Sequence, residues 1–136
     1  MDYPGVRTFA RRMLAKGLPI QPDLSRILVM PLGTECVIYR DAPWQISIVT
    51  MPPNTQIPRH RHNRMDSAEL VLGGSGLANI DQRVAGATQR GNVAANLIRV
   101  PRGKWHEGHT GPNGCVYLSF QHWIGEPGHI CEDWEQ

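Results

Sequence analysis

The chain has 136 residues, a length typical of one domain that can bury a sizeable core. Its formal net charge is only +2, and the 14 Lys and Arg residues are scattered along the sequence. Because there is no basic stripe and no aromatic stacking platform, we expect no nucleic-acid partner. No apolar run approaches the roughly 18 residues that a membrane span needs, so we expect no membrane-spanning segment.

The N-terminal residues predict a short amphipathic helix over residues 6–16. Val6, Phe9, Met13 and Leu14 can share one apolar stripe, and Gly17 is a plausible helix end. We expect residues 1–20 to form a helical arm that packs on the domain or on a partner subunit. The segment lacks the apolar core of a signal peptide.

Beyond the arm, the apolar pattern changes from helical spacing to short alternating runs. Turn-forming Gly and Pro residues separate these runs at intervals of about ten residues, which is typical of a β-sandwich or a small barrel. The sequence predicts a barrel domain over residues 21–124 and a tail, residues 125–136, that lies over the domain or a neighbour. The predicted strands cover residues 26–30, 35–40, 44–51, 57–62, 68–72, 77–81, 93–100, 105–109 and 115–123.

The connections between these runs follow from their composition. Residues 63–67 are polar and predict a hairpin connection, and residues 82–92 predict a loose polar stretch. Two Gly-rich segments, 73–76 and 111–114, predict tight turns that reverse the chain.

The three cysteines, Cys36, Cys115 and Cys131, are odd in number and widely spaced. Their spacing predicts neither a disulfide framework nor a Cys-x-x-Cys pair. We therefore expect a reducing, cytoplasmic environment.

The histidine pair His60-Arg61-His62 is the strongest functional signal in the sequence. On a β-strand, residues i and i+2 point to the same face, so both imidazoles can approach one point. Glu69 lies at the start of the next predicted strand, and His106 follows a Pro-x-Gly turn. Three imidazoles with one carboxylate suit Fe, Zn, Ni, Cu or Mn, and such a ligand set leaves positions open on an octahedral metal.

These residues resemble the first motif of the cupin superfamily. That motif runs Gly, five residues, His-x-His, three or four residues, Glu, six residues and Gly. Here the sequence has Asn54, five residues, His60-Arg61-His62, six residues, Glu69, six residues and Gly76. The carboxylate therefore lies two residues further along than the motif expects.

The second cupin motif runs Gly, five residues, Pro-x-Gly, two residues, His, three residues and Asn. The sequence matches it with Ala95, five residues, Pro101-Arg102-Gly103, two residues, His106, three residues and Thr110. The resemblance to small, single-domain, RmlC-like cupins covers about residues 44–123. It implies an all-β jelly-roll barrel, here with a short N-terminal helix.

The resemblance implies one divalent transition metal per chain, Fe, Zn, Ni or Mn, held by His60, His62, His106 and a carboxylate. We prefer Glu69 as that carboxylate because the longer connection preserves strand parity. Ser67 and Asp66 are the alternatives, and Glu69 could instead pair with an arginine (Arg59, Arg61 or Arg64). His109, His122 and His129 are interpreted as ordinary surface or hydrogen-bonded residues.

Cupins of this size resemble metal-dependent dioxygenases, lyases, decarboxylases or isomerases that act on small organic molecules. We favour an oxidoreductase of the dioxygenase type, and the alternatives are a non-catalytic ligand-binding or sensor module and a purely structural jelly roll. Glu69 and Tyr117 are the candidate catalytic residues. Trp105, Tyr117 and Gln121 are the candidate substrate contacts, although the sequence leaves open which face of residues 115–123 lines the pocket. We also expect a homodimer, because dimerisation would cover sheet edges.

Overall fold

The computed structural model describes residues 5–17, 27–30, 33–81, 83–88 and 97–136. Within these residues the chain forms one α-helix and nine strands. None of the helices in this part is long and apolar enough to cross a membrane. The elements are α1 (Val6–Ala15), β1 (Ile27–Met30), β2 (Gly33–Asp41), β3 (Trp44–Met51), β4 (Gln56–His62), β5 (Met65–Ile80), β6 (Arg83–Thr88), β7 (Leu97–Val100), β8 (His106–Trp123), a 3-10 helix (Ile130–Asp133) and β9 (Trp134–Glu135).

The strands form a curled antiparallel sheet organised around β8, which is 18 residues long. One edge of β8 pairs with β5 along nearly its whole length. On the other edge, the second half of β8 pairs with β3 and the first half pairs with β4. The outer edge of β5 is in turn covered by β6 and β7. The all-β fold with one N-terminal helix is thus confirmed.

The two Gly-rich segments do not reverse the chain, so the turns predicted there are wrong. Segment 73–76 lies inside β5 and segment 111–114 lies inside β8. Gly74 and Gly114 both have positive φ values, 70° and 74°, and a Cβ on Gly74 would lie 2.0 Å from the carbonyl oxygen of Gly114. The register of β5 against β8 shifts on either side of Gly74. The glycines therefore allow two paired strands to bend together.

Two predicted connections also need correction. Residues 63–67 do not join a hairpin, because β4 and β5 each pair with β8, and β5 already begins at Met65. Within the stretch predicted to be loose, residues 83–88 form β6, which pairs back on the end of β5. The predicted strand residues 26 and 93–96 lie outside the described residues.

The outer face of the sheet packs against α1, which confirms the predicted helix. Val6 and Ala10 are fully buried against Leu118 and Phe120 of β8. The Phe9 ring lies 4.6 Å, centroid to centroid, from the ring of Trp44. Helix α1 therefore packs on the sheet of its own chain.

The inner face of the sheet carries a second apolar cluster, closed at one side by the C-terminal tail. Ile130 belongs to this cluster together with Val49, Val71 and Trp123. Strand β9 pairs with the end of β4. The inner face is thus the wall of an internal cavity, and the tail completes that wall within the same chain.

A contact between Glu35 and His129 anchors the tail to β2. Glu35 is fully buried, and its carboxylate lies 2.6 Å from His129 Nδ1 and accepts a hydrogen bond from Ile130 N at 3.2 Å. Burial raises the pKa of Glu35, and the contact with His129 opposes that rise. The pair fixes Ile130 at the position where it lines the cavity.

Candidate metal centre

Strand alternation and one turn bring three histidines together on the inner face. His60 and His62 are alternate residues of β4, and His106 is the first residue of β8, where it pairs in register with His60. The turn before His106 depends on Gly103, whose φ of 77° strongly favours glycine. Gly103 N donates a hydrogen bond to His62 O at 2.8 Å, so this turn is attached directly to the His60–His62 strand.

The three imidazoles form a compact group. One ligand atom from each ring can be chosen so that all three atoms lie within 4.8 Å of one another. The ring centroids of His60 and His106 are 4.1 Å apart, and His62 lies 5.1 Å from His60 and 5.3 Å from His106. His60 and His62 are only 3% and 5% exposed. This is the arrangement that three ligands of a single ion require.

Backbone carbonyls determine which ring nitrogen of two histidines carries the proton. His60 Nδ1 lies 2.7 Å from Pro58 O, and His106 Nδ1 lies 3.0 Å from Lys104 O. Because a carbonyl oxygen only accepts, each Nδ1 must donate, which leaves the Nε2 lone pair free as a ligand. Among the described residues, the buried Nδ1 of His62 has no hydrogen-bond partner.

The electrostatics of the site keep these rings neutral. Burial, together with the proximity of His106, lowers the pKa of His60 to about 4. Burial also lowers the pKa of His62, well below its usual range, and that of His106. Neutral imidazole is the form that binds metals. The orphaned His62 nitrogen, the two free Nε2 atoms and the low pKa values fit a divalent transition metal, although they do not identify it.

Glu69 lies in the same cavity but outside the histidine group. Among the described residues, the group whose ligand atoms lie within 4.8 Å of one another consists of the three histidines. Glu69 is not part of this group, although it lines the cavity. Its Oε1 accepts a hydrogen bond from Ser67 Oγ at 2.9 Å, whereas the buried Oε2 has no partner among the described residues. Burial raises the pKa of Glu69 to about 8. Burial therefore favours the protonated form of Glu69, which lines the cavity.

The two alternative carboxylate positions have structural partners instead. Asp66 Oδ1 accepts a hydrogen bond from Arg102 N at 2.7 Å, so this side chain supports the turn that precedes His106. The Ser67 hydroxyl donates its hydrogen bond to Glu69 Oε1.

The arginines considered as partners of Glu69 have other contacts. Arg61 pairs with Glu135 at 2.7 Å, and Arg64 lies 3.6 Å from Asp133. The guanidinium of Arg59 lies over the ring of Trp105.

Tyr117 lines the cavity, and its position identifies the inward face of β8. The cavity has a volume of about 120 Å³, and Cys115 and Tyr117 both line it. Leu118 and Phe120 point to the opposite face, into the cluster under α1. Burial raises the pKa of Tyr117, and it raises that of Cys115 to about 11. Both groups are neutral at physiological pH.

Gln121 does not line the cavity, although it was a predicted substrate contact. Its Oε1 accepts hydrogen bonds from Trp123 Nε1 at 2.8 Å and from Gln45 Nε2 at 2.9 Å, and its Nε2 donates to Ser119 Oγ at 3.1 Å. Both polar atoms of the amide therefore have partners in this buried network.

Trp105, the other predicted contact, also lies outside the lining of the main cavity. The guanidinium groups of Arg59 and Arg61 each lie 4.7 Å from the centroid of its ring. Trp105 instead lines a neighbouring polar cavity, which shares His106 with the main one.

Two residues of the tail contribute to the site and were missed by the sequence analysis. Trp134 stacks on His60, with ring centroids 3.9 Å apart and planes inclined by 20°, and it lines the cavity with Ile130. No local pattern marks these residues, because Trp134 contacts His60 and Ile130 is hydrogen-bonded to Glu35, both far earlier in the chain. Val71 and Cys115 also line the cavity, and they could have been found from strand parity with Glu69 and Tyr117.

The remaining histidines lie outside the metal-ligand group. His109 is exposed, His122 lies 4.5 Å from the Trp44 ring, and His129 pairs with Glu35.

No protein-family model matches the sequence, and no curated protein matches it either. Solved structures do match. The Cnp3 cupin domain of Schizosaccharomyces pombe is 13% identical with a TM-score of 0.60, over 75% of this chain and 72% of that chain. An RmlC-like cupin from Shewanella frigidimarina is 13% identical with a TM-score of 0.60, over 81% and 89%. Pac13, described as a nucleoside dehydratase, is 12% identical with a TM-score of 0.60, over 85% and 88%.

At these identities the likeness establishes the fold and leaves the chemistry to the site itself. The match covers three quarters or more of this chain in each case. The curled antiparallel sheet with its N-terminal helix is therefore a cupin jelly roll, and this chain has the cupin fold.

Proposed function

We propose that this protein is a metal-dependent enzyme that acts on a small organic molecule. His60, His62 and His106 would hold one divalent transition metal per chain. The observation that carries the proposal is the group of three neutral imidazoles, with ligand atoms within 4.8 Å of one another, at the wall of an internal cavity. A site that served only packing would gain nothing from the buried Nδ1 of His62, which has no hydrogen-bond partner among the described residues.

A bound metal would supply Lewis acidity towards a substrate oxygen, and a redox-active metal would add electron-transfer chemistry. The chain itself supplies the remaining functions. Glu69 holds a proton at the cavity wall, and its pKa of about 8 suits transfer near neutral pH. Ile130 and Trp134 close one side of the cavity and limit access of water.

Two reaction classes are compatible with this set of residues. Dioxygenase chemistry is our first proposal, because three protein ligands leave space for a substrate and for dioxygen at the same metal. The proton held by Glu69 favours a second candidate, a lyase or isomerase in which Glu69 protonates the substrate and Tyr117 orients it. Three free cysteines support a cytoplasmic location for either enzyme.

The experiment that tests the proposal is metal analysis of purified protein by mass spectrometry. We expect about one Fe, Zn, Ni or Mn per chain in the wild type and a large loss of metal in His60→Ala. The matched control is His109→Ala, because His109 is exposed and lies outside the ligand group. A wild type that binds no metal when each ion is supplied would overturn the proposal.

Turnover assays then separate the reaction classes. Oxygen uptake by iron-loaded protein with a small organic substrate would support the dioxygenase. Turnover under anaerobic conditions would support the lyase or isomerase. Ligand binding without any turnover would favour the sensor alternative.

A further inference from the structure

The walls of the cavity next to the histidines are mostly apolar. The side chains of Met51, Ile57, Met65, Val71 and Ile98 line it. One wall residue, Leu77, is 58% exposed, so the cavity reaches the surface near this side chain. Its volume is about 120 Å³. An apolar cavity of about 150 Å³ in another protein binds benzene. The space here thus fits about one six-membered ring.

The cavity offers few polar partners to a bound molecule. Thr110 lines it, but its hydroxyl donates to Pro52 O at 2.6 Å and accepts from Thr55 N at 2.8 Å. The other oxygen-bearing side chains of the lining are Glu69, Tyr117 and Glu107, and His109 lines it as well. Glu107 accepts a hydrogen bond from Asn79 Nδ2 at 3.5 Å. A ligand with several hydroxyl groups would leave most of them buried without hydrogen bonds.

We propose that the cavity binds a small, mainly apolar molecule of about one six-membered ring, which carries one oxygen donor directed at the three histidines. The oxygen matches the polar side of the cavity that the three histidines form, and the ring matches the apolar walls. This inference rests on the proposed function, because the histidine side of the cavity is taken as the metal side. We therefore expect the cavity to disfavour sugars and nucleosides, because many of their hydroxyl groups would be buried against apolar walls.

The test compares three probes on the purified protein, with and without bound zinc, by calorimetry and by amide chemical shifts. The probes are phenol, 4-phenylphenol and uridine, the nucleoside present in a structure of Pac13 from Streptomyces. We expect phenol to bind at least tenfold more tightly than the other two and to shift amides near Val71 and Ile98. Equal or tighter binding of uridine, or no binding of phenol, would overturn the inference.

A cavity-filling variant tests whether phenol binds inside the cavity. Val71→Phe places extra volume in the cavity and is expected to weaken phenol binding at least tenfold while metal content is unchanged. The matched control is Leu72→Phe, because Leu72 is the next residue, is 38% exposed and does not line the cavity. If Val71→Phe fails to fold, Ile98→Phe makes the same test from β7. Undiminished binding in a folded filling variant would contradict the inference.

The measurements without zinc distinguish failure of the proposed function from failure of the proposed ligand class. If the protein holds no metal but still binds phenol in the cavity, the proposed function fails and the ligand class stands. If the protein holds the metal on its histidines but binds no single-ring probe, the ligand class fails and the proposed function stands.

Discussion

Burial favours the neutral form of each histidine of the site in the absence of a metal ion. The carbonyls of Pro58 and Lys104 hold the protons of His60 and His106 on Nδ1. Trp134 stacks on His60 and fixes the plane of its ring. Binding a metal would therefore cost little rotational entropy in these side chains. The same burial that preorganises the rings lowers the stability of the metal-free protein at acid pH.

The pH dependence follows from two opposite shifts. Burial lowers the pKa of His60 from 6.5 to about 4, so from pH 4 to 6.5 the unfolded chain binds a proton that the folded one does not. The contribution of His60 to the free energy of unfolding therefore rises with pH in this window. Burial raises the pKa of Glu69 from 4.5 to about 8, so the folded chain holds the extra proton and stability falls as pH rises towards 8.

Glu69→Gln should remove the second effect in the metal-free protein. We expect the decline in unfolding free energy between pH 6.5 and 8 to become shallower, by up to about 1.4 kcal/mol per pH unit. Urea unfolding at several pH values measures it, and Glu126→Gln, a change at an exposed carboxylate, is the control. An identical decline in wild type and Glu69→Gln would show that Glu69 ionises normally in the folded protein.

At the scale of elements, the paired bend of β5 and β8 shapes the cavity. Gly74 lies against Gly114 of the partner strand at this bend, and Gly76, two residues further along β5, lines the cavity. Both strands continue on either side of the bend, so their two halves form the curved wall.

Gly74→Ala should be strongly destabilising. Its φ of 70° is unfavourable for alanine, and the new Cβ would lie 2.0 Å from Gly114 O. We expect a loss of about 3 kcal/mol of unfolding free energy, measured with urea. Gly73→Ala is the matched control, because nothing lies within 4 Å of its added Cβ. Equal stability of the two variants would mean that the bend does not require glycine.

The elements also show where sequence reasoning succeeded and where it could not. The alternation in Trp44–Met51 and the His-x-His spacing are local properties, so they predicted a strand and a shared face for His60 and His62 correctly. The bend at Gly74 depends on a glycine forty residues later, and a Gly-rich run alone does not distinguish a turn from a paired bulge. The contact between Trp134 and His60 is equally non-local.

For the whole molecule, the predicted homodimer remains to be tested. Helix α1 and the tail both pack on their own chain, so neither is a reason to expect a partner. Leu72 and Ile124 are each 38% exposed, and β1 lies at the end of the strand order, where β2 is its one partner among the described strands. Burying such an edge is the remaining physical reason to expect a dimer.

Light scattering after size exclusion checks the dimer directly. We expect twice the mass of one chain across a tenfold dilution. A single-chain mass at all concentrations would show that the monomer is the functional unit.

Metal binding by the three histidines underlies both the proposed function and the proposed ligand. Anomalous diffraction from crystals of metal-loaded protein tests this binding most directly. We predict one anomalous peak per chain, contacted by His60, His62 and His106, and its position would show whether Glu69 joins them. A metal-loaded crystal with no peak at the triad, or with its peak at another site, would contradict the account.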